Sequence, residues 1–200
     1  MRRPTGLVAL LAAVVAMATV VTGCSGGGSS TEVLPTVKAP PQSAELGWVE
    51  NYPSDEPALV FGVQRFTVTE DGWRAQISVQ NCSDVSWDIG SPNTTTELQF
   101  GVMLFPDNNL KELERRNRQG ELPAIRDATA FNPQLPSVLR PGTTWRGTMS
   151  APGALAGGLW VRISFGPFVS EGDPPTGAAS PVVWFTDHAY HLGVVAAEPA

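Results

Sequence analysis

The chain has 200 residues, 42% of them hydrophobic, with six Trp, 20 Gly and 18 Pro. That length is one domain with appendages, large enough to bury a core without a metal or disulfide staple. A net charge of −6 argues against a nucleic-acid partner, whose phosphates call for a Lys/Arg surface.

The N-terminus begins with a short basic stretch, Met1-Arg2-Arg3, followed by an uncharged apolar run from Leu7 to Thr22. Sixteen helical residues span about 24 Å, short of the roughly 30 Å hydrocarbon core, so a signal peptide over 1–23 is expected rather than a permanent transmembrane helix. Removing it lowers the net charge to −8, because Arg2 and Arg3 leave and no acid does. Val21-Thr22-Gly23-Cys24 resembles the lipobox of bacterial lipoproteins, in which small residues precede a cysteine that is acylated on sulfur before cleavage. The resemblance implies lipid attachment at Cys24 and a cell-membrane location on the extracytoplasmic face. More than one acyl chain is needed for stable attachment, since a single chain binds only marginally. Residues 24–45, rich in Gly, Ser, Thr and Pro, are expected to form a flexible tether.

From residue 46 to 192 the pattern is that of strands, with a tail over 193–200. Trp73, Ala75, Ile77 and Val79 alternate with Arg74, Gln76, Ser78 and Gln80, the period-two signature of a strand with one buried face. Leu59, Phe61 and Val63 alternate upstream, and Phe66 and Val68 continue in the opposite phase, which predicts a bulge at Gln64-Arg65. Asp71-Gly72 predicts a hairpin between these strands. Further strands are expected at Val85–Ile89, Leu98–Phe105, Thr143–Ser150, Leu159–Gly166 and Val182–Tyr190. Seven or eight strands separated by turn residues indicate an all-β fold, an antiparallel immunoglobulin-like β-sandwich. One short surface helix interrupts it, with Asn109 as N-cap, Gly120 as C-cap and Glu112–Arg116 and Glu114–Arg118 as i,i+4 pairs. Residues 121–142, with four prolines, form a long connection back to the sheets.

Val79-x-Asn81-x-Ser83 with Trp87, Phe105-Pro-Asp-Asn-Asn109, Leu139-Arg-Pro-Gly142 and Trp160-Val-Arg-Ile-Ser-Phe-Gly166 together resemble an uncharacterised family. It is the Ig-like domain of lipoproteins and secreted proteins from Gram-positive and high-GC bacteria, and the similarity covers about residues 58–168. It implies an accessory or antigenic surface protein without enzymatic activity.

Motifs for catalysis are sparse. His188 and His191, three apart in a strand, point to opposite faces and would not converge on a metal. Neither has a recognisable Ser or Cys partner for nucleophilic chemistry. Cys82 is the one thiol left once Cys24 is acylated, so no intrachain disulfide forms; a buried structural role is expected for it. The acid pairs Asp55-Glu56 and Glu70-Asp71 sit in turn-like settings beside Pro or Gly. Trp160 and Trp184 stand opposite the apolar rows of their strands, and would either form a partner-binding patch or pack as satellite core under the 106–142 connection, the second being favoured. The expectation is a non-catalytic binding or envelope-accessory module without cofactor, anchored to the membrane and open to a protein partner in the envelope. The rivals are a sandwich-type peptidase inhibitor presenting the loop Glu171–Pro181, a metal-handling lipoprotein, and a hydrolase.

Overall fold

The computed structural model describes residues 37–90 and 98–194. The signal peptide, Cys24 and most of the tether lie outside the described residues, as do the last six positions. Among the described residues, no helix is long and apolar enough to cross a membrane.

Two antiparallel sheets pack face to face as an all-β sandwich. The strands are β1 (Gln42–Tyr52), β2 (Leu59–Val68), β3 (Gly72–Asn81), β4 (Trp87–Ile89), β5 (Gly101–Phe105), β6 (Arg126–Asp127), β7 (Ala130–Asn132), β8 (Val138–Leu139), β9 (Thr144–Pro152), β10 (Trp160–Ser170), β11 (Val182–Phe185) and β12 (Tyr190–His191). One sheet runs β1-β2-β3-β9-β7; the other runs β6-β5-β10-β4-β8, with β11 and β12 also paired to β10. The alternating rows supply the core: Phe61, Ile77, Val79 and Met149 from the first sheet meet Val161, Ile163, Phe165 and Phe168 from the second. The β2–β3 register shifts between Val63 and Arg65, where the phase change in the sequence predicts a bulge.

Helix α1 (Leu110–Gln119) carries both expected caps. The Asn109 side chain accepts from Lys111 N and Glu112 N at 3.1 and 3.3 Å, and Gly120 takes the left-handed φ of 70° that only glycine adopts without cost. Glu112 bonds Arg115 at 2.8 Å and Arg116 at 3.0 Å, and these guanidinium bonds push its carboxyl down to about 2.

Three expectations change. Residues 39–45, expected in the tether, belong to the folded body. Ala39 is buried and its N–H donates to Leu155 O at 2.8 Å, and β1 begins at Gln42. Strand β1 escapes a period-two reading because its half-buried row is Gln42, Ala44, Leu46, Trp48, Glu50 and Tyr52, half of it polar or small. Twelve strands stand among the described residues where seven or eight are expected. The 121–142 connection adds three short strands, and the last expected strand divides into β11 and β12. It divides because the Thr186 side chain replaces a backbone rung, its hydroxyl accepting from Ile163 N at 3.1 Å and donating to His188 O at 2.8 Å. Finally, Cys82 is exposed. Asn81 takes the inward position at the end of β3, which turns the next residue outward.

Candidate functional site

The open edge between the two sheets is closed by side chains of β1. Its half-buried row reaches the C-terminal segment at several points. Gln42 Oε1 accepts from Tyr190 OH and from Gly193 N, both at 3.0 Å. Trp48 stacks on His188 with ring centroids 5.5 Å apart, and Ala179 N donates to Tyr52 OH at 2.7 Å.

Glu50 is the hub of this edge. Its carboxylate is buried and takes four hydrogen bonds. Oε2 accepts from Trp184 Nε1 at 2.9 Å and Asp187 N at 3.0 Å, while Oε1 accepts from His188 N at 3.1 Å and pairs with His188 Nδ1 at 2.8 Å. A carboxylate offers about four lone-pair sites, so Glu50 is saturated and its charge is met by donors rather than by water. Arg162 completes the frame from below. It is fully buried on β10, and Nη1 donates to Thr186 O at 2.7 Å and also to Asp187 O. Its Nη2 donates to Asn108 Oδ1 at 2.6 Å, and its guanidinium lies 5.7 Å from the Phe105 ring centre. Burial pulls the Arg162 pKa down, opposed by the nearby carboxylates of Asp187, Glu50 and Asp107. Glu50 and Arg162 together fix the backbone of 186–188 from two sides.

That frame sets the rim of a groove on the outer face of the second sheet. The 121–142 connection passes close over β5, where Gly101 leaves room for it; a Cβ there would collide with Arg126 O. Helix α1 lies alongside and turns Leu110, Leu113, Glu114 and Asn117 toward β11, positions one, four, five and eight of one helical stripe. Met103, Phe105 and Leu113 form a small second core here, with Leu122, Ile125, Trp160 and Phe185 packed against it.

Two cavities adjoin on this face. One, of about 480 Å³, is walled by Leu98, Met103, Leu122 and Ile125 and has Ser164 in its lining. The other, of about 400 Å³, has Leu110 and Leu113 on one wall and the two carboxylates Glu114 and Asp187. They share Asn117, Val183 and Phe185. Each falls in the size range of small-molecule pockets and is mixed in lining, the first adding Gln99, Asn117 and Asp127 to its apolar residues. Ser164 is fully buried and, among the described residues, its hydroxyl has no hydrogen-bond partner. Such a group costs free energy unless something occupies it. Asp187 has its carboxyl pushed up, first by desolvation, then by the Glu50 charge; Arg162 and His188 pull it down and Glu114 adds to the rise. A wider depression of about 630 Å³ on the first sheet, lined by Arg74, Gln76, Thr148 and Ser150 among others, contains no comparable orphaned group.

The two indoles singled out in the sequence do not form one patch. Trp160 lies on the outer face beside His191, ring centroids 4.8 Å apart, packed on the second core under the connection. Trp184 pairs in register with Phe165 and turns to the sandwich interior, 6.0 Å from Phe61 and 5.4 Å from Tyr52. The satellite-core alternative describes Trp160, whereas Trp184 belongs to the main core. Positions 183, 185 and 187 carry the groove side of that segment. The histidines part company, His188 held by Glu50 and Trp48, His191 by Trp160. The loop Glu171–Pro181 is tied near its base by Ser170 N donating to Ser180 Oγ at 2.9 Å, and to β1 through Tyr52. Among the described residues, no cluster of three or more His, Cys, Asp or Glu is placed to hold a metal ion.

Sequence reasoning missed Glu50, Arg162 and Ser164, and weighed Asp187 only as a metal ligand beside His191. No signal in the sequence separates them: Arg162 and Ser164 alternate with the apolar residues of β10 as the solvent side of an amphipathic strand would. No protein-family model matches the chain, nor does any curated protein or solved structure.

Proposed function

We propose that this chain is a lipid-anchored, extracytoplasmic binding module that receives a ligand in the groove beneath α1. The observation that carries the reading is the pair of adjoining cavities, of mixed apolar and polar lining, with a fully buried hydroxyl that has no partner among the described residues. The frame around them is rigid, because Glu50 and Arg162 saturate the backbone of the rim, which suits binding with little reorganisation. A binding rather than catalytic role is favoured by His188, whose Nδ1 is held by Glu50 and which has no hydroxyl or thiol bonded to it among the described residues. Attachment rests on the Val21–Cys24 sequence, and the immunoglobulin-like family resemblance agrees with a surface accessory.

The test uses the full chain in nanodiscs of zwitterionic lipid, heated with and without an extract of its own cell envelope. A ligand of the groove raises Tm of the native chain and leaves Val183→Trp, whose indole fills the shared wall, unmoved. Equal shifts in both proteins would remove the groove as the site. Cys24→Ala should abolish acyl labelling and release from the signal peptide; processing and membrane attachment that survive it would sink the anchor.

A further inference from the structure

We infer that the groove takes a small cation of one kind, a primary amine joined through a short apolar segment to a hydrogen-bonding oxygen. The inference rests on the reading of the groove as a binding site and deepens it by naming the chemistry. At one end of the groove stand two carboxylates from different elements, Glu114 on α1 and Asp187 after β11. Asp187 receives no side-chain hydrogen bond among the described residues, although its backbone is held at both N–H and C=O. Glu114 has Arg118 at 3.9 Å, an exposed pair that contributes little.

The local charge is negative. Asp187, Glu50 and Asp107 lie around the buried cation Arg162, and Glu50 and Glu114 add negative charge at Asp187. Both Nη atoms of Arg162 are committed to Thr186, Asp187 and Asn108, and Arg162 lines neither cavity. An anionic ligand would meet the charges of Asp187 and Glu114, both in the lining, whereas an ammonium would relieve their repulsion; Arg162 Nε is buried and has no partner among the described residues, but its side chain is in neither lining. At the other end Ser164 offers a buried hydroxyl able to donate and accept. Between the two lies Phe185, the register partner of Ser164, so Asp187 is two residues beyond it, no more than about 7 Å along the chain. The apolar face of Phe185 spans that interval, with Val183 beyond it on the far side. The geometry therefore reads amine, a few methylenes, then an oxygen.

Isothermal titration of the full chain in zwitterionic nanodiscs, with empty discs as blank, separates the parts. The probes are 6-amino-1-hexanol, hexylamine and 6-hydroxyhexanoate. 6-Amino-1-hexanol should bind, with hexylamine about fivefold weaker for want of one neutral hydrogen bond. 6-Hydroxyhexanoate should give no heat. Asp187→Asn should weaken both amines about tenfold or more, the loss of a charge-assisted bond. Ser164→Ala should bring 6-amino-1-hexanol down to the level of hexylamine and leave hexylamine unchanged, a pattern that general loosening of the fold would not give. Carboxylate binding as tight as amine binding, amine binding indifferent to Asp187→Asn, or silence from all three probes would overturn the inference. Stabilisation by envelope extract that Val183→Trp abolishes would then still hold the groove as a site for other chemistry.

Discussion

Two buried polar hubs hold this sandwich, and they are built on opposite plans. Asn81, at the end of β3, works mostly on its own neighbourhood. Its Nδ2 donates to Val85 O at 2.7 Å and Leu139 O at 3.0 Å, and its Oδ1 accepts from Ser83 N at 2.9 Å and Ser83 Oγ at 2.7 Å. Ser83 Oγ in turn accepts from Trp87 Nε1 at 3.1 Å. Glu50 has no local partner at all; its donors lie 134 to 138 residues away. The first hub shapes a corner, and the second joins one end of the described chain to the other. Stability and function are coupled at only one of the two: the Asn81 corner lies apart from the groove, while Glu50 fixes the residues that form its rim.

Deleting each hub in turn tests whether the two plans differ in consequence. Glu50→Ala strands an indole N–H and two backbone N–H groups at a closed edge, and orphaned buried N–H groups are among the least tolerated defects. A loss of about 4 kcal/mol is expected, which for a body of this size lowers Tm by roughly 8–16 °C. The substitution should also abolish groove binding even at temperatures where the chain stays folded. Ligand affinity unchanged in folded Glu50→Ala would separate the hub from the site.

Asn81→Ala is the smaller cut. It strands mainly two carbonyls, which tolerate under-satisfaction better than N–H groups do, and the Ser83 hydroxyl can turn to Val85 O, already 3.3 Å away. About 2 kcal/mol and a Tm lower by roughly 4–8 °C are expected, with groove binding intact below that temperature. Chemical denaturation of the two variants side by side measures the order; a larger loss for Asn81→Ala would reverse it.

The same contrast explains what could be read in advance. The Asn81 corner was legible because its donors and acceptors sit two and four residues apart, so Asn-x-Ser before a Trp is visible as a turn, and Leu139-Arg-Pro-Gly142 as its distant counterpart. Strands β2, β3, β9 and β10 were legible from alternation, and α1 from its caps. Strand β1 was not, because the positions that should have been apolar hold Gln42 and Glu50, whose role exists only when the C-terminal segment lies beside them. The groove was illegible for a related reason. Arg162 and Ser164 look like the solvent side of an amphipathic strand; Trp160 on the same face points to cover by the 106–142 connection, but no local signal extends that cover to the two polar positions. Long-range partners leave no periodic trace.

Asp187 carries the smallest expected stability effect and the most pointed one. Burial and the Glu50 charge raise its pKa in the folded chain, so as pH climbs from below the usual carboxylate range the unfolded chain releases this proton first. Stability therefore declines across the window between the ordinary value and the raised one, and stays lower above it. Asn at this position has no proton to lose. The Tm of Asp187→Asn should match the native chain near pH 3, draw ahead as pH rises through that window, and hold its lead at pH 7. A native chain that gains on the variant with rising pH would show that Asp187 is stabilised by its surroundings and has no need of a cation. With an amine bound the sign reverses, since the ammonium supplies the charge that the fold withholds: the native chain then overtakes the variant at pH 7. A carboxylate that weakens the empty protein and strengthens the occupied one is what a binding residue, as opposed to a structural one, looks like in a titration.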